Sequence, residues 1–212
     1  MAAPKNTPRA VLLWAALFLA MVLPIIAAAF SPYLAYRQPI YIVAGFAGIA
    51  AMALMLLQPL LAMGFLPGLD RARARRMHRI TGTTLILAVV LHVTGLWITS
   101  PPDVIDALTF TSPTLFSPFG VIAMWALFAS GLWAALRRTL GTTPSTWRRG
   151  HSTLAAIITL GTVIHALLIE GTMETWSKAL LAALLLLATG MAFLRLRPWA
   201  GTPGRSATSG KG

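Results

Sequence analysis

The sequence contains no cysteine. This excludes a disulfide framework, a thiolate-bound iron–sulfur cluster, a covalently attached c-type haem and a cysteine-based zinc site. Charged residues are also scarce, at 10% of the 212 residues, whereas a soluble domain carries about 25%. Acidic residues are the rarest, with five Asp and Glu against 17 Lys and Arg. The chain cannot cover its own surface with polar groups, so we expect membrane lipid to be its main solvent.

The sequence instead contains long apolar runs, and 57% of its residues are hydrophobic. A bilayer core of about 30 Å is crossed by about 20 helical residues. Six segments reach that length, at 9–30, 40–66, 78–99, 118–139, 150–170 and 177–196. Backbone groups in lipid must pair within their own segment, and these runs lack the alternation of barrel strands. The sequence therefore predicts an all-α membrane protein, with a six-transmembrane-helix bundle over 9–196.

Outside these spans, residues 1–8 form a short N-terminal segment, and 103–109 are expected to form an interfacial helix. Residues 197–212 are rich in Gly, Ser, Thr and Pro and predict a disordered tail. The first span has an alternative interpretation as a cleaved signal peptide, with Lys5 and Arg9 before its apolar run. Cleavage would leave five spans.

Basic residues are concentrated on one side of the predicted membrane. Fifteen of the 17 lie in the two terminal segments, in the loop after span two or in the loop after span four. The opposite loops contain Arg37 and Lys178, together with four of the five acidic residues. The positive-inside rule then predicts a multi-pass protein of a bacterial-type inner (plasma) membrane with both termini cytoplasmic. Anionic lipid accounts for the basic excess, so no nucleic-acid partner is expected.

All four histidines lie in two spans at one spacing. His78 and His92 are 14 residues apart in span three, and His151 and His165 are 14 residues apart in span five. Fourteen residues fall about 40° short of four helical turns and rise about 21 Å, so both histidines of a span share a face. The two spans run in the same direction. His78 is therefore level with His151, and His92 is level with His165.

Two imidazoles per level match the ligand number of a haem, whose porphyrin supplies the other four iron ligands. Zinc requires four protein ligands, or three and water, and no carboxylate lies near enough to complete such a set. The histidines are accordingly predicted to bind two b-type haems, with the iron ligated by His78, His92, His151 and His165. The alternative is that each histidine hydrogen-bonds to a neighbouring helix.

Small and basic residues near the histidines are consistent with haem. Gly82 and Gly161 each lie four residues from a histidine, where they would leave room for a flat macrocycle or simply pack helices closely. Arg79 and Arg149, with their arginine neighbours, could pair with haem propionates. The positive-inside pattern alone also accounts for these arginines.

The arrangement resembles the ferric-reductase-like transmembrane domain, a superfamily that includes ferric reductases, NADPH oxidases and the haem subunit of a bacterial methionine-sulfoxide reductase system. The matching elements are the strings 78–82 (HRITG) and 147–151 (WRRGH), followed by His92 and His165 at the 14-residue interval. The resemblance covers about residues 40–196. It implies electron flow through two haems from a cytoplasmic reductant to an acceptor at the outer, periplasmic face.

One departure from the large family members affects the expected partners. They carry a cytoplasmic flavin and nicotinamide module after the last span, and the short tail here holds no GxGxxG motif. A separate donor is therefore expected, either a cytoplasmic flavoprotein reductase with FMN or FAD, or membrane quinol. The protein would be the haem-bearing subunit of an oxidoreductase, with no acid–base or nucleophilic catalytic residue of its own. Two alternatives are a quinone-linked cytochrome b anchor of a soluble dehydrogenase and a non-redox membrane protein.

Overall fold

The computed structural model describes residues 7–199, which are almost entirely helical. The helices are α1 (Thr7–Ala29), α2 (Pro39–Met63), α3 (Arg71–Thr99), α4 (Pro101–Leu108), α5 (Ser117–Leu136), α6 (Pro144–Leu168) and α7 (Thr175–Leu196). All except α4 are long and apolar enough to cross a membrane. The predicted all-α fold with six membrane-spanning helices is therefore confirmed in its helical part. The predictions for residues 1–6 and 200–212 lie outside the described residues.

Two helices begin well before their predicted spans. α3 begins seven residues before residue 78, because Asp70 caps it and accepts a hydrogen bond of 2.7 Å from the backbone N–H of Arg73. α6 begins six residues before residue 150, after Thr143 caps its first turn and Pro144 occupies the first helical position. His78 and His151 consequently each lie seven residues after the start of a helix, two turns inside it.

The short helix that was expected over 103–109 is present as α4, at the end of the bundle that carries Asp103 and Asp106. We call this end the acidic end. The opposite end, where α3 and α6 begin and where α5 and α7 finish, is called the arginine end. Its basic residues among those described are Arg9, Arg71, Arg73, Arg75, Arg76, Arg79, Arg137, Arg138, Arg148, Arg149, Arg195 and Arg197.

The bundle consists of two helical hairpins that are joined by α7. α2 packs along α3, α5 packs along α6, and α7 packs against both α2 and α6, while α1 covers α2 and α7. Leu181 and Leu185 of α7 are fully buried in this core, together with Leu56 and Leu61 of α2. Large apolar side chains cover much of the outer surface, as expected for helices in contact with membrane lipid.

The backbones of α3 and α6, the two histidine-bearing helices, do not pack closely along each other within the described chain. α5 reaches α3 in the interval between the two histidine levels, at Gly131. A Cβ there would lie 2.6 Å from Cδ1 of Ile86 on α3. The fold therefore separates the backbone of α3 from that of α6 and places an apolar contact of α5 with α3 between the level of His78 and the level of His92.

Candidate functional site

The histidines at the arginine end, His78 and His151, lie close together. Their ring centroids are 6.1 Å apart, and the ring planes are inclined by 73°. Nδ1 of His78 lies 3.3 Å from the backbone carbonyl oxygen of Gln58 on α2, and Nδ1 of His151 lies 2.9 Å from Oγ of Ser130 on α5. Each ring is thus held from behind by the other helix of its own hairpin.

The histidines at the acidic end are held in the same way. Nδ1 of His92 lies 2.7 Å from the carbonyl oxygen of Ala44 on α2, and Nδ1 of His165 lies 2.9 Å from the carbonyl oxygen of Phe116 on α5. The structure therefore gives two levels of hydrogen-bonded histidines, with α2 behind one ring and α5 behind the other at both levels.

A glycine makes room for each ring at the acidic end. A Cβ on Gly48 would lie 3.0 Å from Nδ1 of His92, and a Cβ on Gly120 would lie 2.6 Å from Nδ1 of His165. Each glycine follows the residue whose carbonyl accepts the hydrogen bond by four positions, one turn along the same helix face. A side chain at either position would obstruct the bond between the imidazole and the carbonyl.

Hydrogen bonding determines which nitrogen is available on three of the rings. A carbonyl oxygen only accepts, so Nδ1 of His78, His92 and His165 must carry the hydrogen and donate it. In a neutral imidazole this leaves Nε2 with a free lone pair, the form in which histidine binds a metal. Within residues 7–199 no hydrogen bond reaches any of the four Nε2 atoms. Since Nδ1 and Nε2 lie on different ring edges, Nε2 is turned away from the anchoring helix.

His151 is surrounded by aromatic groups. The indole of Trp147, one turn earlier on α6, stacks on the imidazole at 4.7 Å with an angle of 17°. The guanidinium of Arg137 lies over the indole of Trp147, with its Cζ 5.3 Å from the indole centroid. Trp133 contacts Trp147 edge to face, and its ring lies directly over Gly150, where no side chain would fit.

The glycines that the sequence singled out differ in their surroundings. A Cβ on Gly82 would meet only the side-chain amide of Gln58, with Oε1 at 3.7 Å and Nε2 at 4.0 Å, so space remains beside His78. A Cβ on Gly161 would come within 2.8 Å of the carbonyl oxygen of Phe119 on α5. Close packing of α5 against α6 therefore accounts for Gly161, one turn from His165.

The arginines that the sequence singled out are exposed at the arginine end. Arg79 lies about 100° around α3 from His78, and Arg149 lies about 160° around α6 from His151. Arg149 instead lines a surface cleft of about 400 Å³ beside Trp133. Arg75 and Arg148 are each about 60° from the histidine of their helix, and are closer to the histidine face.

The donor set fits a haem better than a free metal ion. Among residues 7–199 no group of three or more His, Cys, Asp or Glu side chains could hold a metal ion. Two imidazoles at one level are the set that a haem iron takes from protein, because the porphyrin provides its remaining ligands. At the arginine end the two ring centroids are 6.1 Å apart, so both imidazoles lie at one level.

Several residues of the site had not been identified from the sequence. The carbonyls of Ala44, Gln58 and Phe116 are backbone groups, which a sequence pattern does not mark. Ser130, Gly48 and Gly120 could have been found as small residues on the helices that precede the histidine spans. No family model, curated protein or solved structure matches the chain.

Proposed function

We propose that this protein is a transmembrane electron-transfer protein of the ferric-reductase-like type, which holds one b-type haem at each histidine level. The observation that carries the proposal is the common orientation of the four imidazoles. All four are fixed through Nδ1 by α2 or α5, and all four keep Nε2 free of protein partners within the described chain. Histidines that served only to join helices would not need paired levels.

The protein residues prepare each level before a cofactor binds. The Nδ1 hydrogen bonds fix ring orientation and increase the basicity of Nε2, as the outer partners of metal-bound histidines do. The separation of α3 from α6 leaves their histidine faces unobstructed by direct helix packing. When bound, two b haems would supply two one-electron couples at depths about 21 Å apart along the helix axis.

The charge distribution supports a direction for the electrons. The arginine end would face the cytoplasm of a bacterial-type inner membrane, by the positive-inside rule. One electron at a time would enter there from a reduced flavoprotein or from quinol, and leave at the acidic end to a periplasmic or outer-face acceptor. Arg75 and Arg148, each three residues before the histidine of its helix and on the histidine side, could pair with propionates.

The proposal is tested by haem quantitation and reduced-minus-oxidised spectra of the purified protein. Wild type should contain two b haems. His78→Ala and His151→Ala should remove the same haem, whereas His92→Ala and His165→Ala should remove the other. The control is Thr159→Val, which removes a buried hydroxyl on α6 that lies 3.4 Å from the hydroxyl of Thr189 and makes no hydrogen bond to a histidine. Protein that lacks a Soret band after expression with ample haem would refute the proposal.

A further inference from the structure

The two histidine levels differ in the groups that hold the rings. At the acidic end both Nδ1 atoms donate to backbone carbonyls, at 2.7 Å and 2.9 Å. At the arginine end His78 has a longer contact, 3.3 Å from the carbonyl of Gln58. His151 differs most, because its partner is the hydroxyl of Ser130, a buried side chain with 5% of its surface exposed.

A hydroxyl holds an imidazole differently from a carbonyl. A carbonyl oxygen has only lone pairs and is a fixed helix dipole, whereas a serine hydroxyl rotates and can either donate or accept. If the hydroxyl donated to Nδ1, Nε2 would carry the hydrogen and could not bind a metal. With Nε2 bound to a metal, Nδ1 must donate and the hydroxyl of Ser130 must accept. A neutral hydroxyl is a weaker hydrogen-bond acceptor than a carbonyl in a helix, so it makes the imidazole less electron-rich. His151 is then the weakest electron donor of the four.

A second feature restricts the orientation of His151 in addition to that bond. Trp147 stacks on the imidazole face, and Arg137 lies over the indole. The stack restricts rotation of the ring, while Ser130 sets its electron donation. The two contacts therefore have separable roles, one steric and one electronic.

We infer that Ser130 is a positioning residue that tunes the arginine-end haem, and that this haem has a higher midpoint potential than the acidic-end haem. The inference rests on the proposed function. Electron-rich axial imidazoles stabilise ferric iron, so the two carbonyl-bonded histidines lower the potential at the acidic end. The arginine-end haem would therefore be reduced first and would hold the electron until an acceptor is present at the acidic end.

The experiment is a potentiometric titration of the purified membrane protein, with low-spin EPR spectra recorded at the same potentials. A His92→Ala background isolates the arginine-end haem, and a His78→Ala background isolates the other. Ser130→Ala and the nearly isosteric Ser130→Cys should both shift the arginine-end potential upward, because each removes or weakens the acceptor for Nδ1 of His151. Ser130→Thr keeps the hydroxyl and should leave the potential at the wild-type value. None of the three should move the acidic-end potential.

The outcomes separate this inference from the function on which it rests. Wild-type protein without haem refutes the proposed function itself. Two haems in wild type with an unchanged arginine-end potential in Ser130→Cys overturn the role of Ser130, even if Ser130→Ala loses a haem. Equal shifts at both levels overturn it as well, because they would show a general structural effect. Thr159→Val is the matched loss of a buried hydroxyl and should shift neither potential.

Discussion

Replacing Gly120 by alanine would place a methyl carbon 2.6 Å from Nδ1 of His165 and 2.8 Å from its Cε1. Ordinary carbon contacts begin near 3.5 Å, so the ring must move by roughly 1 Å. The nearest atoms belong to an imidazole that is already held by the carbonyl of Phe116, at 2.9 Å. The methyl group therefore competes directly with the hydrogen bond that orients Nε2.

The size of the effect follows from what the ring loses. The Nδ1 hydrogen bond contributes about 0.5–1.5 kcal/mol, and an off-rotamer imidazole costs about as much again. Together these make about 1–3 kcal/mol, which corresponds to roughly 5- to 150-fold weaker haem binding at the acidic end. The arginine-end haem should be retained. Stability of the apoprotein should change little, because alanine is favoured over glycine in a helix by about 1 kcal/mol and this offsets local strain.

The assay is the haem-to-protein ratio of purified Gly120→Ala, together with haem titration of the apoprotein. The ratio should fall from two toward one. Gly48→Ala should show a smaller loss, since its added methyl would lie 3.0 Å from Nδ1 of His92. Gly190→Ala on α7 is the control, because nothing lies within 4 Å of that position. Full haem content and wild-type affinity in Gly120→Ala would refute the reasoning, as would an equal loss in Gly190→Ala.

Two further substitutions test other parts of the structure. The methyl group of Gly82→Ala would meet only the side-chain amide of Gln58, at 3.7 Å and 4.0 Å, so the apoprotein should fold normally while the arginine-end haem is lost; normal haem content would show that the macrocycle does not use this space. The hydrogen bond from the backbone N–H of Arg73 holds the pKa of Asp70 below its usual value. A depressed carboxyl pKa contributes stability above the unfolded-state pKa of about 3.9 and loses it as pH falls through the lower folded value. Asp70→Asn keeps a capping oxygen but does not titrate, so melting temperatures measured from pH 5 to pH 2 should fall less steeply than in wild type; parallel curves would contradict this role.

The sequence predicted the part of the fold that hydrophobicity controls. Six apolar runs became six long helices, because a helix that is apolar on most faces has few other ways to satisfy its backbone in lipid. The helix starts at Arg71 and Pro144 were not predicted. They are set by the capping residues Asp70 and Thr143, which lie outside the apolar runs and stabilise turns that hydropathy does not detect.

The sequence alone also shows that the two histidines of each helix share a face, because a spacing of 14 residues determines both their angular separation and their rise along the helix. The groups that orient the rings were not accessible. Ala44 and Phe116 contribute carbonyl oxygens that any residue would supply, and only tertiary packing selects them. Gly161 was noticed in the sequence, but its spacing from His165 is compatible both with room for a macrocycle and with close helix packing. In the folded protein the backbone of α5 lies against Gly161, which favours packing.

The separation of α3 from α6 has a consequence for biogenesis. Each hairpin carries one imidazole of each pair together with the helix that holds it, so a hairpin alone contains only half-sites. Both half-sites can be built as soon as a hairpin inserts, but they meet only when the second hairpin docks on the first, through the contact of α5 with α3 and through α7, which packs against α2 and α6. Under the proposed function, cofactor capture is therefore a late event, and a chain that has acquired both haems has also passed a test of correct assembly.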